Sequence, residues 1–385
     1  MPGWRPWVKC NASGLARGPF GRFVQWRAIL KTKSPTATPA LRAVRLEAQV
    51  VHGQPRWSSR LSVIDSRNEE IRYTSIPFEY EHFDHPRLVE LRKKFKLDQV
   101  VAGAKTELEK MIRLRNWVSR QWQWLAFSPP YFAWDAHEIL ERRSGVCVQF
   151  AIVYVQCALA LGIQTRFVFG HVPRGSLPDR RTGGHEVAEF WSNEHGRWMY
   201  MDPRQDDCFV DARTGLPVSM LDLHDETLRL YFPGGPISLA GNRFERQLTS
   251  SALRLWKGTD PEPAAEPATM PILWGCLYWM PRNNFYAHRF PEPLCQGRSA
   301  WSWTGYWRWV DEKSPPFYYL RHHTSRRSDI DWTINLVRWA AACAKQPGIV
   351  LLTLGTVTPD FDTFLVSIDN GPWRRCGPTY TWKLR

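Results

Sequence analysis

The stretch from Gly145 to Gly162 constrains this chain most. Cys147, Phe150, Ala151, Tyr154, Val155, Ala158 and Leu159 recur at three- and four-residue steps, so the spacing predicts a helix whose apolar stripe must dock on a core. Gly162 supplies the stop, and Ser144-Gly145-Val146 reads as the turn that precedes the first helical residue. Cys147 therefore falls in the first turn. There the unpaired backbone N–H groups and the positive end of the helix dipole favour a thiolate. With a histidine nearby, such a position takes a thiol from roughly 8.5 down to between about 3.5 and 7.5. The same N–H groups are candidates to receive an oxyanion. The ordinary alternative is a small buried cysteine that packs and does nothing else.

The segments beyond this helix favour chemistry. Gln164-Thr165-Arg166-Phe167-Val168-Phe169-Gly170 alternates polar and apolar side chains as a half-buried strand does, and a loop rich in Pro, Gly, Arg and Asp runs from Pro173 to Gly184. His185 then opens a strand with Glu186, Ala188 and Phe190 on one face and Val187, Glu189 and Trp191 on the other. Asn193-Glu194-His195-Gly196 makes a turn before Arg197-Trp198-Met199-Tyr200-Met201-Asp202, so a hairpin brings Asp202 beside His185. An aspartate that accepts the proton of one ring nitrogen fixes the tautomer and turns the other nitrogen toward the sulfur. Cys147, His185 and Asp202 are thus candidates for nucleophile, general base and acid, and orienting carboxylate in acyl transfer. Taken singly, a structural histidine and an Asp-Pro turn are the bland readings; together they point to a triad.

These residues resemble the transglutaminase-like superfamily, with its papain-type core. The resemblance rests on the glycine-led Cys147, Leu161-Gly162-Ile163 at the helix end, the Arg166-Phe167-Val168 strand, His185 with Glu189 four residues on, and Trp198 followed by Asp202-Pro203. The spacings fit as well, 38 residues from Cys147 to His185 and 17 from His185 to Asp202. It covers roughly residues 80–240. One departure is Val187, where many members carry an aromatic residue. The resemblance implies that Cys147 is the nucleophile, His185 the base and acid, and Asp202 the orienting partner. It further implies a thioester acyl-enzyme formed from an amide or peptide carbonyl of a protein or peptide substrate, and no cofactor; the acceptor is water or an amine, and hydrolysis is slightly favoured because water is always available.

The expected fold class is α+β, a transglutaminase-like (papain-like) core at 80–240 with flanking β-rich, immunoglobulin-like segments. Residues 1–60 read as the last hairpin of a β-sandwich whose remainder, with any export signal, would precede Met1. Asp260-Pro261-Glu262-Pro263-Ala264-Ala265-Glu266-Pro267-Ala268 reads as an extended linker within 260–270. The strands at 348–369 and 380–384 suggest an immunoglobulin-like region over 271–385 that continues past the last residue. Ahead of Cys147, 107–122 and 135–141 read as supporting helices, and Trp122 and Trp124 as groove walls, oxyanion donors or, more simply, core aromatics.

Composition narrows the remaining classes. Lys and Arg number 51 against 37 Asp and Glu, a net charge of +14, yet no basic run of five occurs, so nucleic acid is not the expected partner. Eight cysteines without a Cys-x-x-Cys pair argue against a zinc site. No apolar stretch reaches the roughly 20 residues of a membrane span, no signal peptide is visible, and the compartment stays open. Trp301, Trp303, Trp307 and Trp309 form a dense aromatic cluster. It reads either as core or as a sugar-stacking platform, and the second option would make the chain a non-catalytic carbohydrate- or envelope-binding protein that uses the core as scaffold.

Overall fold

The computed structural model describes residues 68, 70–123, 134–171, 184–234, 248–288, 306–311, 322–346, 348–359, 361–368 and 371–384. The expected hairpin within 1–60, the loop after Pro173, Trp124, Trp301 and Trp303 lie outside these residues. Six helices are described: α1 (Pro86–Lys94), α2 (Leu97–Val100), α3 (Glu107–Ser119), α4 (Ala136–Arg142), α5 (Cys147–Ala160) and α6 (Met220–Tyr231). The strands β1 (Thr165–His171), β2 (Gly184–Ser192), β3 (Arg197–Met201), β4 (Asp207–Asp211), β5 (Leu248–Lys257), β6 (Pro267–Met270), β7 (Cys276–Trp279), β8 (Trp307–Trp309) and β9 (His322–Thr324) accompany them. Five more strands, β10 (Val337–Cys343), β11 (Ile349–Thr356), β12 (Phe364–Val366), β13 (Arg374–Cys376) and β14 (Thr379–Lys383), close the chain.

The helices end where local chemistry says they should. Thr106 accepts from Glu109 N to cap α3, Asp135 from His137 N to cap α4, and Ser219 shares a reciprocal capping box with Asp222 at the start of α6. Helix α5 differs because both its faces are buried: every residue from Gln149 to Ala160 is enclosed. It packs on α1, α3 and α4 on one side and on β1 and β2 on the other. A helix that is apolar all round sits in the centre of its domain, so this one is the axle of the core.

The main sheet has the order β3-β2-β1-β7-β8-β9, antiparallel except for the parallel pair β8 and β9. Its composition revises the expected organisation. Strands β7, β8 and β9 come from residues 276–324 and continue the sheet begun by the cysteine core. The Pro/Ala/Glu-rich stretch expected to be an extended linker instead turns the chain between β5 and β6, which pair antiparallel, with Ala264 N donating to Leu255 O at 2.9 Å. The alternation in β1 likewise does not mean a solvated face, because all seven residues of the strand are buried. Arg166, only 1 % exposed, lies over the rings of both Trp198 and Trp332, at 4.2 and 4.4 Å, and forms an ion pair with Glu189 at 2.6 Å. Period 2 distinguishes the two faces of a strand; it does not say that one of them meets water.

The C-terminal strands form separate small sheets, β10-β11-β14 and β12-β13, and are more exposed than the core, as the burial of β10 and β14 makes plain. Trp309 is buried in the main sheet, and Trp307 packs beside His322 at 5.2 Å, which favours the core reading for these two tryptophans. Among the described residues no helix is long and apolar enough to cross a membrane.

Candidate active site

Three elements meet at the N-terminal end of α5. The turn before it is set by Gly145, whose φ of +151° and lack of a side chain admit the Gln149 side chain. Gln149 Oε1 accepts from Val146 N at 2.9 Å and so ties the turn to the first helical turn. Trp122 stacks on Phe150 at 4.1 Å and donates Nε1–H to Gly145 O at 3.2 Å. That bond commits its indole donor to the turn, so Trp122 holds the backbone ahead of Cys147 and is not spare for an oxyanion. Val146, the residue at the cap position, has no side-chain acceptor, which leaves the Cys147 and Val148 amides as the terminus of the helix.

The other two elements are β2 and β3, antiparallel with Ala188 opposite Met201. One residue beyond Met201, Asp202 reaches back along this ladder to His185: its Oδ2 lies 2.5 Å from His185 Nε2. Asp202 Oδ1 accepts from the amides of Arg204 and Gln205, both at 2.9 Å, the local turn that Asp-Pro encodes. Both residues are enclosed, His185 at 5 % and Asp202 at 2 % exposure. Trp274 packs 6.1 Å from the His185 ring and edge-on to Tyr200 at 5.5 Å. Because Nε2 belongs to Asp202, Nδ1 is the nitrogen left for Cys147, with which His185 also has a hydrogen-bond interaction. Cys147, His185 and Asp202 are thus brought together from three elements.

The charges differ from the reading of the sequence in one respect. Burial works against a charged His185, but the Asp202 carboxylate outweighs it and raises the imidazole well above its usual range. Burial alone would raise Asp202; His185 and the two turn amides hold it below the usual carboxylate range. Cys147, however, is raised, not lowered. Burial pushes the thiol up, the negative charge of Glu186 adds to that, and His185 opposes it only in part. The helix terminus expected to yield a depressed thiol is outweighed by a desolvated setting and a neighbouring anion. The resting state is therefore a neutral thiol.

Glu186 went unassigned in the sequence. The Cys147 thiol donates to its Oε2 at 2.8 Å, and the residue is partly exposed, with burial raising its carboxyl. No spacing signal marks it: a strand residue next to the histidine belongs to the opposite face by alternation, and only the packing of α5 against the strand end carries the sulfur to it. Trp274 is equally silent, since nothing in its neighbourhood sets it apart from other core aromatics. His137 has a structural place, its Nε2 beside Arg87 O at 2.9 Å. Among the described residues no group of His, Cys, Asp and Glu has the arrangement of a metal site.

A cysteine at the start of a central helix, packed against a histidine and an aspartate on adjacent antiparallel strands, defines an α+β core of the papain type. A family model described as the transglutaminase-like superfamily matches residues 95–203, and the chain carries a transglutaminase-like core there. Among solved structures, a provisionally named cysteine protease from Cytophaga hutchinsonii is similar at 19% identity and a TM-score of 0.26, over 31% of this chain and 41% of that one. A provisionally named protease from Parabacteroides distasonis is similar at 18% identity and 0.23, over 31% and 25%. A TGase is similar at 18% identity and 0.21, over 31% and 30%. The chain thus spans less than half the length of each. A search of the curated proteins found no match.

Proposed function

We propose that this protein is a cysteine enzyme that forms a thioester acyl-enzyme from an amide or peptide carbonyl of a protein or peptide substrate. Cys147 is the nucleophile, His185 the proton carrier and Asp202 its orienting partner. The observation that carries the reading is the buried His185 Nε2 to Asp202 Oδ2 contact at 2.5 Å beside a cysteine on a helix N-terminus. In the acylation step the neutral-imidazole form of His185 takes the thiol proton as the sulfur attacks the carbonyl carbon; the tetrahedral adduct collapses with cleavage of C–N, and the leaving amine departs with that proton from the imidazolium. The amides of Cys147 and Val148 at the helix terminus are the candidate donors to the oxyanion.

Water or an amine can then take the acyl group, and water, always present, is the default acceptor. A peptide-library assay tests the proposal: wild-type protein is incubated with and without an alkylamine, and mass spectrometry scores both hydrolysis and amine incorporation. Turnover that Cys147→Ala and His185→Ala each abolish is expected. Wild-type turnover unaffected by Cys147→Ala would overturn the assignment.

A further inference from the structure

A second buried imidazole and carboxylate lie outside the site. His224, on α6, is fully enclosed; its Nε2 is 2.7 Å from Asp311 Oδ2 and its Nδ1 2.9 Å from the carbonyl oxygen of Trp274. A carbonyl can only accept, so Nδ1 carries the hydrogen and donates it. Asp311, two residues beyond β8, also accepts from Trp309 Nε1 through the same oxygen, at 3.2 Å. The contacts thus run from a carboxylate beside β8 to a ring on α6, and from that ring to one backbone carbonyl. No step of the acyl transfer uses either residue.

The carbonyl belongs to the short 3₁₀ turn Ile272–Gly275, which packs on α6 and β1. A single turn of this kind makes few bonds of its own and takes its position from its neighbours. Its Trp274 side chain is 1 % exposed and lies on Gly170, where an added Cβ would collide with Cε3 and Cζ3 of the indole. Gly170 is the residue of β1 opposite His185. The missing side chain therefore leaves room for the indole beside the histidine, 6.1 Å from its ring. The indole also meets Tyr200 edge-on at 5.5 Å, and the Tyr200 hydroxyl donates to Asp202 Oδ2 at 3.4 Å. One ring thus borders His185 directly and Asp202 through Tyr200.

We infer that His224 and Asp311 are positioning residues for the catalytic pair: they fix the Trp274 carbonyl and thereby hold the indole against Gly170, where it keeps water from the contact between His185 and Asp202. The inference rests on the proposed roles of Cys147 and His185 and extends them to two residues on other elements. No side chain of Ile272–Gly275 ionises, and the charged or titratable neighbours of His185 are Asp202, Cys147, Glu186 and Asp207. A displaced indole therefore changes the solvation of His185 and leaves the charges around it as they are. Burial, the largest single influence on the imidazole, lowers it, and the Asp202 and Cys147 interactions together outweigh burial. Water relieves the first and screens the second, so its entry carries the ring back down toward the ordinary histidine range. The neutral ring that takes the thiol proton then forms at lower pH.

The test follows iodoacetamide labelling of Cys147 against pH in the whole chain, scored by peptide mass. In the wild type the rate should rise through a transition that His185→Ala abolishes. Gln places its amide nitrogen where Nε2 stands and Asn where Nδ1 stands, so His224→Gln keeps the link to Asp311 and loses the carbonyl, whereas His224→Asn keeps the carbonyl. The labelling midpoint is expected about 0.5–1 pH unit below wild type in His224→Gln, and less than half as far below it in His224→Asn. Asp311→Leu, which frees the His224 ring, and Trp274→Phe, which keeps the carbonyl and shrinks the cover, should shift it in the same direction; these two carry the expectation if His224→Gln does not fold. A merely structural role would lower the thermal midpoint of these variants and leave the labelling midpoint in place, and that result would overturn the inference. Equal shifts in His224→Gln and His224→Asn would also overturn it, since the bond to the carbonyl would then not matter. A wild type without a His185-dependent transition at Cys147 would remove the functional proposal itself, and the inference with it.

Discussion

Replacing Gly145 with alanine tests how the nucleophile is held. A Cβ at this position would lie 2.5 Å from both Cβ and Cγ of Gln149 and 2.9 Å from its Oε1. Ordinary carbon contacts are about 3.5–4.0 Å, so the overlap is roughly 1 Å and lies against the root of a buried side chain that cannot swing away. A non-glycine residue at φ +151° carries about 1–3 kcal/mol of backbone strain. Displacing Gln149 also breaks its bond to Val146 N, the equivalent of a lost helix cap at about 0.5–2 kcal/mol. Together these give about 2–5 kcal/mol of destabilisation. Gly162→Ala is the control: its φ of +80° brings comparable strain, but nothing lies within 4 Å of the added Cβ, so it should cost only about 1–2 kcal/mol. Urea denaturation of both variants measures the difference. Because Gln149 and Cys147 share the first turn, Gly145→Ala should also move the sulfur from Glu186 and change the pH dependence of iodoacetamide labelling, whereas Gly162→Ala should not. If Gly145→Ala is no less stable than Gly162→Ala, the packing argument for this turn is wrong.

The charges yield three further expected outcomes. Arg166→Leu leaves Glu189 buried without its cation and should destabilise the protein by about 3–5 kcal/mol, with most of that recovered in Arg166→Leu/Glu189→Leu, as denaturation midpoints will reveal. Asp202→Asn should lower the His185 pKa, read from the imidazole proton resonances. The pair's stabilisation is complete below the ordinary histidine range and is lost as pH rises through the raised folded value, so the variant should differ most from wild type near pH 6 and converge with it at alkaline pH. Asp207, pushed up to about 7 by burial and by the negative charge of Asp202, favours its neutral form in the fold. Its contribution is present below the ordinary carboxylate range and is lost as pH rises through about 7. Asp207→Asn should therefore raise the thermal midpoint at pH 8 and leave it unchanged at pH 4.

Much of the site is legible in the sequence because it depends on local rules. The three- and four-residue spacing of Phe150, Tyr154 and Leu159 defines α5 and its glycine boundaries, and the turn at Asn193–Gly196 sets the register of β2 and β3 so that Asp202 arrives beside His185. Helix periodicity and hairpin register are properties of neighbours along the chain, so the sequence carries them directly. Tertiary structure alone decided the rest. Glu186 meets Cys147 across 39 residues, because α5 docks with its N-terminus at the end of β2. Arg166 is buried, because Trp198 and Trp332, the latter from far along the chain, close over it. The thiol is raised, because desolvation and an anion outweigh a helix terminus, and the strands at 276–324 extend the core sheet, because hydrogen-bonded edges pair with whatever segment packing brings to them. Alternation and motif spacing are local quantities; burial, like-charge proximity and strand order are sums over the whole fold, and no short stretch of sequence contains them.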